Sequence, residues 1–320
     1  MSPPRQIDHA MSAERPAKST IRDLWVDVVR RRKSGVGSNI PFYVTLPGAA
    51  GLDLKHLIDH GLIATTESGA IADKDNRRVI AVEKDSLAVL ELQRSFPGLK
   101  ILQSDIYSRL HGSSPIVFPT GQGKDPFIAA VINLDFNDSF LFRNGVFPIL
   151  EAVVKIATLQ TAQSPPYDWT LLLTVQGEVR WPGDTQLAAQ RFLAEQCTLC
   201  PPYDQGCKRL FGDPLYGRIN AEPPVAMHIC ERVDQQHILM AFVPAQIIRR
   251  VYTMGWRVEV THNLRYGGEA GNTAPMATWI MDFVRDPRAA STPHTVLTDG
   301  LGTVLQGAGR VTEDGDLVLL

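Results

Sequence analysis

Four cysteines fall between residues 197 and 230: Cys197, Cys200, Cys207 and Cys230. Cys197 and Cys200 form a C-x2-C pair, and Cys207 follows across Pro201-Pro202 and Gly206, turn residues that could fold a thiolate knuckle. Cys230, or His228 in its place, could complete a tetrahedral zinc site. The second C-x2-C of a full zinc pattern is missing. An alternative therefore stays open, four reduced thiols of which some are buried as small apolar groups. A redox role for Cys197 and Cys200 lacks a thioredoxin-like context, and a disulfide is disfavoured in a chain with no secretory features. His56 and His60 stand four apart in a helical stretch, without the Glu that a zinc-hydrolase motif places between them, and read as surface imidazoles.

A second set of chemically able residues follows short apolar runs. After residues 40–46 (IPFYVTL) comes Pro47-Gly48-Ala49-Ala50-Gly51. Small residues there let a ligand approach the backbone, and the helix that follows can hold a polar group at its N-terminus. The run 79–82 ends at Glu83 and Lys84, where a carboxylate suits the two hydroxyls of a ribose. The run 100–103 leads to Ser104, Asp105 and Ile106, an acceptor beside an apolar neighbour, suited to an adenine amino group. The run 127–134 ends in Asn133-Leu134-Asp135-Phe136, an amide, a carboxylate and an aromatic ring at one terminus. Each has a plain reading too: a tight turn, a solvated acid, or Asp135 capping the loop 137–140. Taken in order, they point to an adenosine-type ligand.

The elements that must position these residues are legible in the periodicity. Ile21, Leu24, Trp25, Val28 and Val29 recur at helical spacing after a Ser19-Thr20 cap, and the helix closes on Arg30-Arg31-Arg32-Lys33. Those four cations suit a helix C-terminus, with a phosphate-binding patch as the sharper alternative. Strands at 40–46, 79–82, 100–103, 127–134 and 169–175 alternate with helices at 52–60, 85–96 and 149–159, with Leu87, Leu90 and Phe96 expected to face inward. Such alternation implies right-handed crossovers and a parallel sheet covered on both faces. The stretch 181–244 breaks the rhythm with one helical piece at 185–195. A helix at 245–254 and strands at 256–261 and 276–284 follow, the two strands pairing antiparallel. The expected organisation is a tail and amphipathic helix (1–39), an α/β half (40–180), a Cys-, Pro- and Gly-rich insertion (181–244), the rest of the sheet (245–285) and a β appendage (286–320).

Composition narrows the class. The 320 residues are 44% apolar and 21% charged with a formal net charge of −2, which excludes disordered and disulfide-scaffold classes. No apolar run reaches the roughly 18 residues of a membrane span, and the first twenty residues carry no signal-peptide pattern. A cytoplasmic chain is expected. With no basic excess, nucleic acid contact would need a local face; Arg249, Arg250, Arg257 and Arg265 with Trp256 and Tyr266 are the candidates.

The order of elements resembles the class I S-adenosylmethionine-dependent methyltransferases, a Rossmann-like α/β fold with a mostly parallel seven-stranded sheet and an antiparallel last strand. The turn Pro47–Gly51 is similar to that family's glycine-rich first motif, Glu83 to its ribose-binding acid, Asp105 to its adenine-side acid, and Asn133–Phe136 to its fourth motif in enzymes that methylate nucleobase amines. The resemblance implies S-adenosylmethionine held by Pro47, Gly48, Ala49, Gly51, Glu83, Lys84, Asp105 and Ile106. It also implies catalysis by Asp135 holding the amine, Asn133 orienting it and Phe136 stacking on a base in DNA or RNA. Three positions depart from the pattern: Leu46 stands where the first motif has an acid, alanines stand between the glycines, and Leu134-Asp135 replaces a proline pair. They motivate an alternative, a catalytically degenerate domain serving as a subunit or scaffold with protein partners. An NAD-dependent oxidoreductase fits Glu83 but not the first turn, which lacks the G-x-G-x-x-G order.

Overall fold

The computed structural model describes residues 16–37, 40–111, 127–139, 147–162, 167–177, 183–221, 232–267 and 275–320. The N-terminal tail, Trp181, His228, Cys230 and most of the loop 137–140 lie outside the described residues or their side chains. The chain opens with α1 (Pro16–Lys33). It then alternates through β1 (Tyr43–Thr45), α2 (Leu52–Asp59), the single turn α3 (Asp73–Asn76), β2 (Val79–Glu83) and α4 (Ser86–Ser95). Next come β3 (Lys100–Gln103), α5 (Ile106–His111), β4 (Val131–Ser139), α6 (Pro148–Thr161) and β5 (Trp169–Gln176). The second half holds α7 (Gly183–Leu199), α8 (Pro201–Ile219), α9 (Arg232–Val251), β6 (Trp256–Tyr266), β7 (Met276–Arg285), α10 (Pro293–Thr303), β8 (Ala308–Val311) and β9 (Leu317–Leu319).

The described strands form one sheet in the order β3-β2-β1-β4-β5-β7-β6-β8-β9. β1 to β5 run parallel, and β7 lies antiparallel between β5 and β6, as the antiparallel pairing of the late strands requires. The expected count of seven strands is corrected to nine. β8 joins parallel to β6, and β9 returns beside it through a hairpin whose turn carries Gly315 at φ 93°. Residues 286–320 are therefore not all β, because α10 precedes β8.

β4 and β5 are apolar on both faces because both faces are covered. One face packs against α1, α2 and α4, the other against α5, α6, α9 and α10. α1 begins a turn before the expected cap, at Pro16, a residue that suits a helix's first turn. It docks through Ile21, Trp25, Val28 and Val29, each buried and worth about 1.5–3 kcal/mol. Its terminal cations are engaged within the chain: Arg31 and Arg32 with Asp282, Lys33 with Asp75, Arg30 with Asp27. That arrangement is the helix-end reading rather than the phosphate patch. At the edge of the sheet where β5 begins, Trp169 stacks on Phe283 at 3.9 Å, and Trp256 meets both rings edge-on.

Two expectations about helices change. α4 buries Ala88, Val89 and Leu92, while Leu87 and Leu90 are exposed. The stretch expected to hold one helical piece forms α7 and α8, which pack over α9, and α9 lies on β6 and β7. α8 kinks at Gly212 (φ 65°), two residues before Pro214. Gly206 permits close packing there, since a Cβ would sit 2.7 Å from Leu305 Cβ.

Candidate functional site

The chain moves outward from β1 through β2 to β3, then crosses back to β4 on the other side of β1. Open α/β sheets bind ligands in a crevice outside the strand ends at such a reversal, which here falls at the carboxyl ends of β1 and β4. The glycine turn and Asp105 follow β1 and β3, Glu83 ends β2, and Asp135 lies within β4, two residues past the Asn133 that pairs with the last residue of β1, so all lie towards this edge.

The turn needs both glycines. Gly48 has φ 59° and Gly51 φ 52°, left-handed values that other residues rarely adopt. Among the described residues nothing lies within 4 Å of where a Gly48 Cβ would stand, so they leave the space above it open. A Gly51 Cβ would meet Phe96 Cε2 at 2.5 Å. Pro47 and Ala49 are half-buried beside them. Glu83 is half-buried, and its Oε1 accepts the Asp85 N–H at 2.9 Å. Lys84 is exposed. Asp85 caps α4 by accepting from the Leu87 and Ala88 amides. Asp105 accepts from Ser108 N at 2.9 Å, capping α5, and Ile106 is buried in the core.

The strand expected at 127–134 runs instead from Val131 to Ser139, so Asn133, Asp135 and Phe136 lie inside β4 rather than at its end, and alternation along it separates the three. Asn133 is fully buried; its Nδ2 donates to Tyr43 Oη at 2.9 Å and lies 3.3 Å from Asp53 Oδ2. Asp53, on the first turn of α2, also accepts from the Tyr43 hydroxyl at 2.8 Å and the Thr45 hydroxyl at 2.5 Å. Burial and the Asp53 charge push the Tyr43 phenol well above its ordinary range. Asp135 points to the same side, towards α1, where Lys18 Nζ stands 3.5 Å from its Oδ2. Burial raises the Asp135 carboxyl above its usual range; Lys18 draws it back, Asp53 pushes it up, and Arg22 draws it down. Tyr266, at the end of β6, feels the same carboxylate, and burial and Asp135 raise its phenol well above its ordinary range. Phe136 points the opposite way, buried and stacked on Tyr107 of α5 at 5.8 Å.

Asp53 Oδ1, Asn133 Oδ1 and Asp135 Oδ1 are buried and have no hydrogen-bond donor among the described residues. An unmet buried acceptor costs about 1–3 kcal/mol, so this end of the sheet favours a cationic or donor-rich group. Asp53, Tyr43, Lys18 and Arg22 were not among the sequence candidates. Asp53 had a signal, an acid in the first turn of the helix after the glycines; the cations of α1 had none, because their approach to β4 depends on tertiary docking.

The three described cysteines do not assemble as a metal site among the described residues. Cys197, Cys200 and Cys207 are buried free thiols, and no group of three ligand atoms among the described residues includes them. Cys200 Sγ donates to the Thr298 carbonyl at 3.6 Å. A hydrogen bond with Cys197 and burial push the Cys207 thiol upward. The zinc expectation at these residues is unsupported, and Cys230 lies outside the described residues. The expected basic rim is likewise absent as a free surface: Arg249 pairs with Glu195, Arg250 with Glu151 and Arg257 with Glu259, while Arg265 and Trp256 are buried. No described helix is long and apolar enough to cross a membrane.

No protein-family model matches the chain, and no curated protein matches it. Among solved structures it is similar to a modification subunit of a putative type I restriction enzyme from Vibrio vulnificus YJ016, at 11% identity and a TM-score of 0.34. The match covers 85% of this chain and 45% of that one, so the chain spans less than half that protein's length. A likeness of this size assigns no residue and no role.

Proposed function

We propose that the chain is an S-adenosylmethionine-dependent methyltransferase acting on an amine, with a nucleobase of DNA or RNA as the acceptor class. The observation that carries this reading is the sharing of one sheet edge by the glycine turn, Glu83, Asp105 and Asp135, on both sides of the crevice between β1 and β4. The open space over Gly48 and the three unmet acceptor oxygens suit an adenosyl group that ends in an ammonium.

Under this reading the backbone of Pro47–Gly51 approaches the ligand, and Glu83 offers the ribose hydroxyls the oxygen it does not use on Asp85. Asp105, with Ile106 beside it, borders the adenine. Asp53 and Asn133 accept from the ammonium. When bound, S-adenosylmethionine supplies a methyl group activated by its positive sulfur. Asp135 holds the acceptor amine and takes its proton; a carboxyl raised by burial is the stronger base for that task. Lys18 keeps it oriented from α1. The Asn133 amide nitrogen, bonded to Tyr43 and Asp53, fixes the direction of its unmet oxygen.

A second reading, a methyltransferase-like scaffold, is favoured by one observation: Phe136 already stacks on Tyr107 instead of presenting its face to a base. Incubation with methyl-labelled cofactor and DNA or RNA separates the two. Label in nucleic acid, lost in Asp135→Ala, supports the enzyme. Cofactor binding without transfer to either polymer supports the scaffold.

A further inference from the structure

Away from the sheet edge, α1 and α2 bring together Asp23, His56 and His60. One ligand-capable atom from each lies within 4.8 Å of the other two. His56 Nε2 stands 2.8 Å from Asp23 Oδ1, and the two imidazoles, four residues apart, have ring centres 4.6 Å apart. His60 Nδ1 is 2.8 Å from the His56 carbonyl. A carbonyl can only accept, so the proton sits on Nδ1 and the lone pair on Nε2. This is the tautomer in which metal-binding histidines are commonly held by their outer hydrogen bond.

We propose that Asp23, His56 and His60 bind a divalent transition-metal ion of the zinc type, which clamps α1 to α2. Two imidazoles and a carboxylate suit zinc, whereas calcium and magnesium call for oxygen ligands. Three protein ligands leave a fourth position for water. Bonds of about 2.0–2.1 Å in a tetrahedron set donor atoms about 3.3 Å apart, so His56 and Asp23 part by about half an ångström and His60, within 4.8 Å of both, closes in as the ion binds. The site is reachable, since the Asp23 side chain is 58% exposed and that of His56 13%. The helices it joins carry Lys18 and Asp53, which flank Asp135. The inference is independent of the methyl-transfer reading.

The test uses the full chain, freed of metal by a chelator, with zinc chloride as titrant in calorimetry and cobalt chloride as a spectroscopic substitute. Wild type is expected to bind one ion per chain. Loss of a ligand is expected to weaken binding at least as much as loss of an outer-shell partner, about 10–100-fold, in His60→Ala and in Asp23→Asn. Asp23→Asn keeps the shape of the side chain and covers the case in which a histidine variant fails to fold. Cobalt bound here gives the visible bands of a tetrahedral nitrogen and oxygen site with no thiolate-to-metal band, and Cys197→Ser with Cys200→Ser leaves the titration unchanged. Absence of zinc binding, equal affinity in His60→Ala and Asp23→Asn, or a thiolate band overturns the proposal.

Discussion

Replacing Gly48 and Gly51 separately by alanine tests how the turn after β1 is built. Both residues sit at positive φ, 59° and 52°, so each alanine carries the left-handed penalty of about 1–2 kcal/mol. The sites differ in what the new methyl meets. At Gly48 it meets nothing within 4 Å among the described residues. At Gly51 it stands 2.5 Å from Phe96 Cε2 and 3.0 Å from both Phe96 Cζ and Leu92 Cδ2. Phe96 and Leu92 are both buried, so neither can swing into solvent. Overpacking of that kind adds about 1–3 kcal/mol. Gly51→Ala is therefore expected to cost about 2–5 kcal/mol against about 1–2 for Gly48→Ala. Denaturant unfolding reads both as lower midpoints at unchanged slope. In a Phe96→Leu background the Gly51→Ala cost should shrink by the part of the packing term that Phe96 supplies, leaving the Leu92 contact and the backbone part behind. Equal losses in the two single variants, or no relief from Phe96→Leu, would refute the reasoning.

Two further outcomes follow from buried charge. Asp282 is buried and accepts from Arg31 at 3.1 Å, Arg32 at 2.8 Å and Thr170, tying α1 to β5 and β7. Asp282→Ala strands the half-buried Arg32 and should cost about 3 kcal/mol in thermal or chemical unfolding; a loss below about 1 kcal/mol would mean that the pair behaves as an exposed one. Burial, with Arg265 nearby, lowers His237 to about 4. The unfolded chain then binds the extra proton between about pH 6.5 and 4, so stability falls on acidification through that window by on the order of 3 kcal/mol. His237→Gln should lose less over the same range, and parallel curves would contradict the assignment.

The sheet was legible where one residue type decides one environment. The mostly apolar runs 127–134 and 169–175, the first overlapping β4 and the second lying in β5, have no exposed polar face to turn outward, and Asp85 could serve the following amides whatever its tertiary setting. α4 misled because its start is apolar all round: Leu87, Ala88, Val89 and Leu90 fit more than one face, and only docking selects Ala88, Val89 and Leu92. α7 and α8 were hidden by prolines and glycines that suit turns equally well. Pro201 and Pro202 open α8, where a missing N–H is harmless, and Gly206 serves contact with Leu305 rather than a bend. At the site, the strand-end positions could be read from the chain. The cluster of Tyr43, Thr45, Asp53 and Asn133 joins residues far apart in sequence and needed the fold. So did the separation of Asp135 from Phe136, since the face each takes depends on where β4 lies in the sheet.

Calorimetry of the full chain with S-adenosylmethionine and S-adenosylhomocysteine tests most directly whether a nucleoside seats above Gly48. Saturable heat for one ligand per chain, falling by tenfold or more (about 1.4 kcal/mol) in Glu83→Ala with the variant's unfolding midpoint unchanged, is the predicted result. No heat with either ligand, or an affinity that Glu83→Ala leaves untouched, would contradict it.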